Sequence, residues 1–367
     1  MRNFRQFFLT TLVLLCSALT SWAAPYSGTP SATLYKITAS NYTNYGFTAE
    51  NWQAFENYYA IASAEDLYKF AAMVNGRDNY IKGVLTADIV VNENVLTAEG
   101  TLNGTPTYSW TPIGTFYISE FNGKFDGNGH TISGLYYNNP DDGNYVGLIG
   151  CADGATIKNV GVIDSYIFGL RYVGGICGGG GTQINCYNTG TVLGSAEYVG
   201  GICGYSGTQT NCYNTGTVSG SNYVGGICGQ GYSYNYGTTV ITNCYNTGTV
   251  SGSSEYVGGI CGYKGTKTNC YYLASSCPIN DGGTSATAEE FASGKITYLL
   301  NGSTSGDGNA WRQNLDNGAV DAYPVLDNTH GVVYILQPCT VFGNTDVVKE
   351  HPSMTATGYC TACGQFI

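Results

Sequence analysis

Cysteine is the residue type in this chain with the most chemistry to offer. Cys177/Cys186, Cys203/Cys212 and Cys261/Cys270 are each nine apart, and Cys228/Cys244 are sixteen apart. Pairs of this kind can close a disulfide within each unit, or stack as ladders of small buried thiols that behave as hydrophobes. Metal ligation is a distant third, because thiols without histidine seldom match zinc geometry. A degenerate unit upstream favours the ladders. There Ile149 stands where Cys177 would, and Val160 where Cys186 would. A position that accepts Ile or Val is a core position, not one that requires a bridge. The tail holds a different set, Cys339, His351, Cys360 and Cys363, spaced C-x11-H-x8-C-x2-C. Four such groups can supply tetrahedral zinc ligands, with disulfides, free thiols or an unfolded end as the other expectations. Elsewhere no cofactor is expected.

Tyrosine offers recognition rather than reaction. Tyr187, Tyr213, Tyr245 and Tyr271 recur in one register, and Tyr172, Tyr198, Tyr223 and Tyr256 in another. Between Tyr172 and Tyr271 the only charges are Glu197, Glu255, Lys264 and Lys267. An uncharged Tyr/Asn/Thr surface suits a neutral glycan or a host or bacterial surface protein, since tyrosine combines apolar area with a hydrogen-bonding tip. The same rows can serve only to brace a stacked chain, as aromatic and Asn ladders do. An insertion at residues 231–239, carrying Tyr232, Tyr234 and Tyr236, is the better binding candidate, because insertions in a repeat array project as loops. The candidate binding residues are therefore Tyr232, Tyr234, Tyr236, Tyr187, Tyr213 and Tyr245.

Catalysis finds little support. A glycosidase needs paired carboxylates, and a lyase needs carboxylates with Arg or Lys. Asp126, Asp141, Asp142, Asp153 and Asp164 fall close together in sequence, but Asp126-Gly127-Asn128-Gly129 and Pro140-Asp141-Asp142-Gly143 have turn chemistry, where Asp serves the backbone. No catalytic residue is assigned. With 25 acids against 14 bases and a net charge of -11, nucleic acid is not an expected partner. Only 11% of residues are charged and 43% are apolar, which excludes a solvated disordered chain.

The elements that must position these residues are repeats. YVGGICG begins at Tyr172, Tyr198, Tyr223 and Tyr256, and NCYNTGTV at Asn185, Asn211 and Asn243, with steps of 26, 25 and 33 between the tyrosines. Each unit is too poor in apolar residues to bury a face alone, but stacked units can, each backbone pairing with the coils above and below. Gly and β-branched residues without helical period exclude a helical solenoid. The expected fold is all-β: a parallel β-helix (solenoid) with short helical caps at both ends. Ser63-Ala64-Glu65-Asp66 opens the first capping helix, with Leu67, Phe70, Ala71 and Val74 as its buried stripe. Thr287-Ala288-Glu289-Glu290 opens the second, and Trp311 and Tyr323-Pro324-Val325-Leu326 add bulk to close that end. The expected divisions are a signal peptide at residues 1–23, an N-terminal cap region at 24–107, the β-helix at 108–280, a C-terminal cap at 281–335 and the Cys-rich tail at 336–367. The leader has a charged start, an apolar run and a small-x-small cleavage site, so the chain is expected to be exported, secreted or at the cell surface. No later stretch is long and apolar enough for a membrane helix.

These residues resemble a known family. VGGICG followed by a turn and NCYNTGTVSGS looks like the GLUG-motif repeat of exported bacterial surface proteins, which include some IgA-specific metalloproteases. The WTPIG…FDGNGHTISGL lead-in and the later WRQNLDNGAVDAYPVLD segment resemble companion segments, so the likeness spans roughly residues 60–335. It implies a right-handed β-helix in an extracellular protein. The protease members carry HExxH, which this sequence lacks, so that activity does not carry over. The resulting expectation is a non-enzymatic surface interaction or adhesin-like role. The alternatives are a carbohydrate-active β-helix enzyme and a structural spacer.

Overall fold

The computed structural model of the protein describes residues 24–25, 33–233, 237–253, 255–277, 283–315, 320–336 and 347–350. Residues 1–23, Tyr234, Tyr236, Cys339, His351, Cys360 and Cys363 lie outside the described residues.

Each repeat forms one coil of a parallel β-helix built from short strands. One coil comprises Cys177–Ile184, Tyr187–Asn188, Thr191–Gly194 and Glu197–Gly200. The next coil pairs with it in parallel and in register, Cys177 with Cys203, Tyr187 with Tyr213, Val192 with Val218 and Val199 with Val224 by way of its own strand. Stacked in this way the strands form four sheets of 11, 8, 5 and 5 strands. Two corners of each coil need left-handed backbone. Asn159, Asn185, Asn211, Asn243 and Asn269 take one, with φ between 50° and 54°. Asparagine tolerates this region because its short amide bonds locally. Tyr145, Tyr172, Tyr198 and Tyr223 take the other, with φ from 53° to 66°. Tyrosine is unfavourable there, and ring stacking between coils offsets the cost.

Register explains the motif letters. Val173, Ile176, Cys177, Cys186 and Val192 are buried in the lumen, one column per position, with Val199 stacked on Val173 in the next coil. Ile149 pairs with Cys177 at the head of the first cysteine column, and Val160 accepts from the Tyr187 N–H just as Cys186 accepts from that of Tyr213. The ten described cysteines are buried. Cys177 opens the strand Cys177–Ile184 and Cys186 follows its end, on either side of a bend where Gly180 and Gly181 take φ 81° and 68°, and neither is in a disulfide. Cysteine rather than valine is used because each thiol has a carbonyl to donate to, such as Cys177 to Gly179 O at 3.3 Å and Cys186 to Ile184 O at 3.3 Å. Burial pushes the Cys186 and Cys244 thiols well above their ordinary range, and the neighbouring Cys212 thiol adds to it. Iodoacetamide should therefore leave the repeat cysteines unlabelled in the native protein and label all of them in denaturant, by peptide mass spectrometry. Labelling of Cys203 or Cys212 under native conditions would contradict the buried ladder.

A second column is polar. Asn188 donates to Asn214 Oδ1 at 2.8 Å and Asn214 to Asn246 Oδ1 at 2.8 Å, all three fully buried. The remaining amide hydrogens of Asn188 and Asn214 go to Gly190 O and Gly216 O. This column dictates the second glycine of the Gly-Gly pair. A Cβ on Gly201 would stand 2.4 Å from Asn214 Cγ and 2.2 Å from Gly226 O.

Helix α1, Ala64–Asn75, covers the first coils. Ser63 Oγ accepts from the Asp66 N–H, while the Asp66 carboxylate accepts from Ala62 rather than from Ser63. Phe70 enters the lumen, with ring centroids 6.1 Å from Phe121 and 5.9 Å from Phe125. After the last coil come α2, Ala288–Ala292, with a complete Thr287/Glu290 capping box, and α3, Lys295–Leu300. The bulk that follows is spent on the flank of the solenoid: Phe291, Ile296, Leu300 and Trp311 form a core with Tyr245, against which Tyr213 and Tyr271 pack. Among the described residues no helix is long and apolar enough to cross a membrane.

Candidate functional site

The row Tyr187, Tyr213, Tyr245 stacks as expected, with centroids 4.7 Å and 5.1 Å apart and rings within 4° and 1° of parallel. Its accessibility is another matter. Trp311 lies 5.9 Å from Tyr213 and 5.3 Å from Tyr245, and the Tyr245 hydroxyl donates to Pro324 O at 2.6 Å. Tyr245 is 1% exposed, so it has no surface for a ligand and its place among the binding candidates is corrected to a structural one. Tyr213 is half-buried beneath the C-terminal segment. Tyr187 ends the row. Its ring lies over Gly161, where a Cβ would come within 2.2 Å of it, so glycine at that position is a condition for the ring's placement.

Beside Tyr187 runs a groove of about 580 Å³ between the asparagine corner and the C-terminal segment. Asn128, Asn159 and Asn185 of the solenoid line it together with Leu326 and Asp327 of the C-terminal segment, and Tyr187 and Tyr213 also contribute to the lining. The corner amides are already linked, Asn185 donating to Asn159 Oδ1 at 3.0 Å and Asn211 to Asn185 Oδ1 at 3.1 Å. An amide has two donors and two acceptor sites, so each keeps hydrogen-bonding capacity outside the ladder. The ladder fixes how that capacity is presented without using it up.

Two histidine–carboxylate pairs flank the groove, and they account for two of the chain's three histidines. His130 Nδ1 is 3.3 Å from Asp88, next to the groove residue Gly129. His330 Nδ1 donates to Asp321 Oδ2 at 2.6 Å, and its Nε2 lies 3.7 Å from Asp327. The Thr131 N–H holds the Asp88 carboxyl below its usual range, helped by the Thr131 hydroxyl and His130. The Thr329 N–H and hydroxyl, at 2.9 Å and 2.8 Å, do the same for Asp327, with His330 adding to it. Burial raises the Tyr187 phenol, and the Asp88 and Asp327 carboxylates raise it further. The phenol thus stays a neutral donor between two ionised carboxylates. These histidine pairs were missed in sequence. The scarcity of histidine was the available signal, and it points to where the few present are placed.

The other candidates are dispersed. The second tyrosine row forms a longer stack, Phe116–Tyr145–Tyr172–Tyr198–Tyr223–Tyr256, with successive centroids 4.4, 4.3, 4.8, 5.1 and 5.1 Å apart and half-buried tyrosines. Within the insertion, Tyr232–Ser233 pairs antiparallel with Gly237–Thr238. Asp126 is buried against Lys158 at 3.0 Å and accepts from Asn128 and Asn159. Asp164 accepts from the Val95 and Leu96 N–H groups. Both carboxylates are engaged in holding turns and loops, while Asp141, Asp142 and Asp153 are exposed.

Fold and site together define a parallel β-helix repeat protein with a lateral groove. No family model matches the chain, and no curated protein matches it. Among solved structures it is similar to a "putative immunoglobulin A1 protease from Bacteroides ovatus", at 20% identity, over 74% of this chain and 92% of that one, with a TM-score of 0.52. At that identity the likeness carries the fold, a stack of parallel sheets.

Proposed function

We propose that this chain is an exported GLUG-type repeat protein that binds a neutral glycan in the groove beside Tyr187. The observation that carries the reading is the lining: the edge of Tyr187, the linked amides of Asn159 and Asn185 beside Asn128, and no cationic side chain among the lining residues. Both faces of the Tyr187 ring are covered, by Gly161 and Tyr213, so what it offers a sugar is its edge and its hydroxyl, which with the fixed amides match the rim of hydroxyls on a sugar ring. A glycan array followed by calorimetry on the whole chain tests it. Tyr187→Ala should weaken binding about tenfold, ~1.4 kcal/mol, with the fold intact. Removal of residues 232–238 should leave binding unchanged. Glycan binding that survives Tyr187→Ala undiminished, or disappears with the insertion, overturns this placement.

A second reading, carbohydrate hydrolysis, is favoured by one arrangement. Asp327 lines the groove, and Asp88 is held by His130 next to the lining residue Gly129, so one carboxylate lies in the groove and a second lies near its end. It separates cleanly from binding: Asp327→Asn would abolish product formation from a bound oligosaccharide while leaving its retention on the protein.

A further inference from the structure

The chain is acidic, with 25 acids against 14 bases, yet Lys36, Arg77, Lys82 and Lys124 gather near α1 and the first coils. Among the described residues, no carboxylate lies at ion-pair distance from any of the four. Lys82 and Lys124 are paired in register on adjacent strands and both point outward. Like charges directly opposite each other destabilise a sheet. Aromatic faces take the place of carboxylates: Lys36 Nζ is 5.1 Å from the Tyr59 centroid and Lys82 Nζ 5.5 Å from that of Tyr58.

Three of these cations line one depression of about 390 Å³, together with Tyr59, Tyr80 and the single carboxylate of Asp78. It shares no lining residue with the groove described above. Tyr80 is 75% exposed. Arg77 holds φ 85°, left-handed backbone that glycine usually takes after a helix, while Gly76 one residue earlier has φ -81°. Inverting the two would relieve the strain and move the guanidinium away. Strain kept beside a concavity points to a ligand site.

We propose that this depression binds an acidic sugar, a pyranose ring laid against Tyr59 and Tyr80 with its carboxylate or sulfate held by Arg77, Lys82 and Lys36. Arginine presents a planar fork to such an anion and the lysines add point charges. The volume accommodates a sugar ring rather than an ion alone. A long polyanion such as nucleic acid is disfavoured by the net charge of -11. This site is independent of the neutral-glycan groove.

The test is titration of the whole chain, followed by NMR or fluorescence, with a sulfated disaccharide, a glucuronate-bearing disaccharide, their neutral counterpart and inorganic sulfate. The proposal expects saturable binding of at least one acidic disaccharide that weakens as salt is raised, and the two acidic arms show which anion is preferred. Arg77→Gly should retain or raise the melting temperature, because glycine suits that backbone, while weakening binding about tenfold. Lys82→Gln should weaken it in the same direction, and Tyr187→Ala should leave it unchanged. The proposal is overturned if folded protein binds neither acidic disaccharide, or if the neutral counterpart binds equally well. It is also overturned if inorganic sulfate alone matches the sulfated sugar, or if Arg77→Gly with Lys82→Gln binds like the parent chain.

Discussion

Asn214→Asp lowers the stability of the solenoid by about 4 kcal/mol at neutral pH, although it exchanges one amide NH2 for an oxygen. Asn214 sits fully buried in the middle of a chain of amides, accepting from Asn188 and donating to both Gly216 O and Asn246 Oδ1. A carboxylate can still accept from Asn188. It cannot donate, so two carbonyl oxygens lose their partner and face a buried negative charge. Burial and those oxygens both raise the folded pKa of the new carboxyl above the ~3.9 of an unfolded Asp. The folded state then binds the proton more tightly than the unfolded state, so the penalty grows as pH rises from about 4 and recedes as pH falls towards it. Urea denaturation of variant and parent at pH 7 and pH 4 checks this. A difference between the two proteins that is the same at both pH values, or below about 1 kcal/mol at pH 7, removes the buried amide column from the account.

The same column shows how far local sequence carries the argument. The repeat period and the Ile149 and Val160 substitutions were enough to place the cysteines in the lumen, because a core column records its nature in whatever apolar residues it accepts. The pairing of Gly-Gly with the later Asn was not legible. Gly201 is needed because the Asn214 amide crosses to it from another strand of the coil, and spacing alone does not show which strand it meets. The groove was equally hidden. Its lining comes from Asn128, Asn159 and Asn185 of the solenoid and from Leu326 and Asp327, brought together by a C-terminal segment whose docking no local pattern encodes. The cation cluster is spread over Lys36, Arg77, Lys82 and Lys124, separated by up to forty-two residues from one to the next, and only in-register strand pairing sets Lys82 beside Lys124.

Trp311→Ala is expected to cost about 4 kcal/mol, and to lose it from one flank rather than from the whole molecule. The two tyrosine rows are alike in sequence, since each repeats once per coil, yet one stays half-buried along its length and the other is fully buried at Tyr245. What separates them is the C-terminal segment, and Trp311, fully buried between Tyr213, Tyr245 and the segment's own residues, is its largest anchor. Truncating it opens a cavity where the segment meets the solenoid, while the lumen columns are untouched. The segment should therefore release first, seen as early proteolysis after α3 and exposure of Tyr245 to chemical modification, with the β-sheet signal retained. Trp311→Phe is the informative partner. Trp311 Nε1 is buried without a hydrogen-bond acceptor among the described residues, so phenylalanine removes an unsatisfied donor along with the lost volume and should cost markedly less than alanine. Because Leu326 and Asp327 line the groove, Trp311→Ala should also abolish the neutral-glycan binding that depends on Tyr187, whereas Trp311→Phe should preserve it. If Trp311→Ala leaves the melting curve and glycan binding as they were, the C-terminal segment is no part of the site.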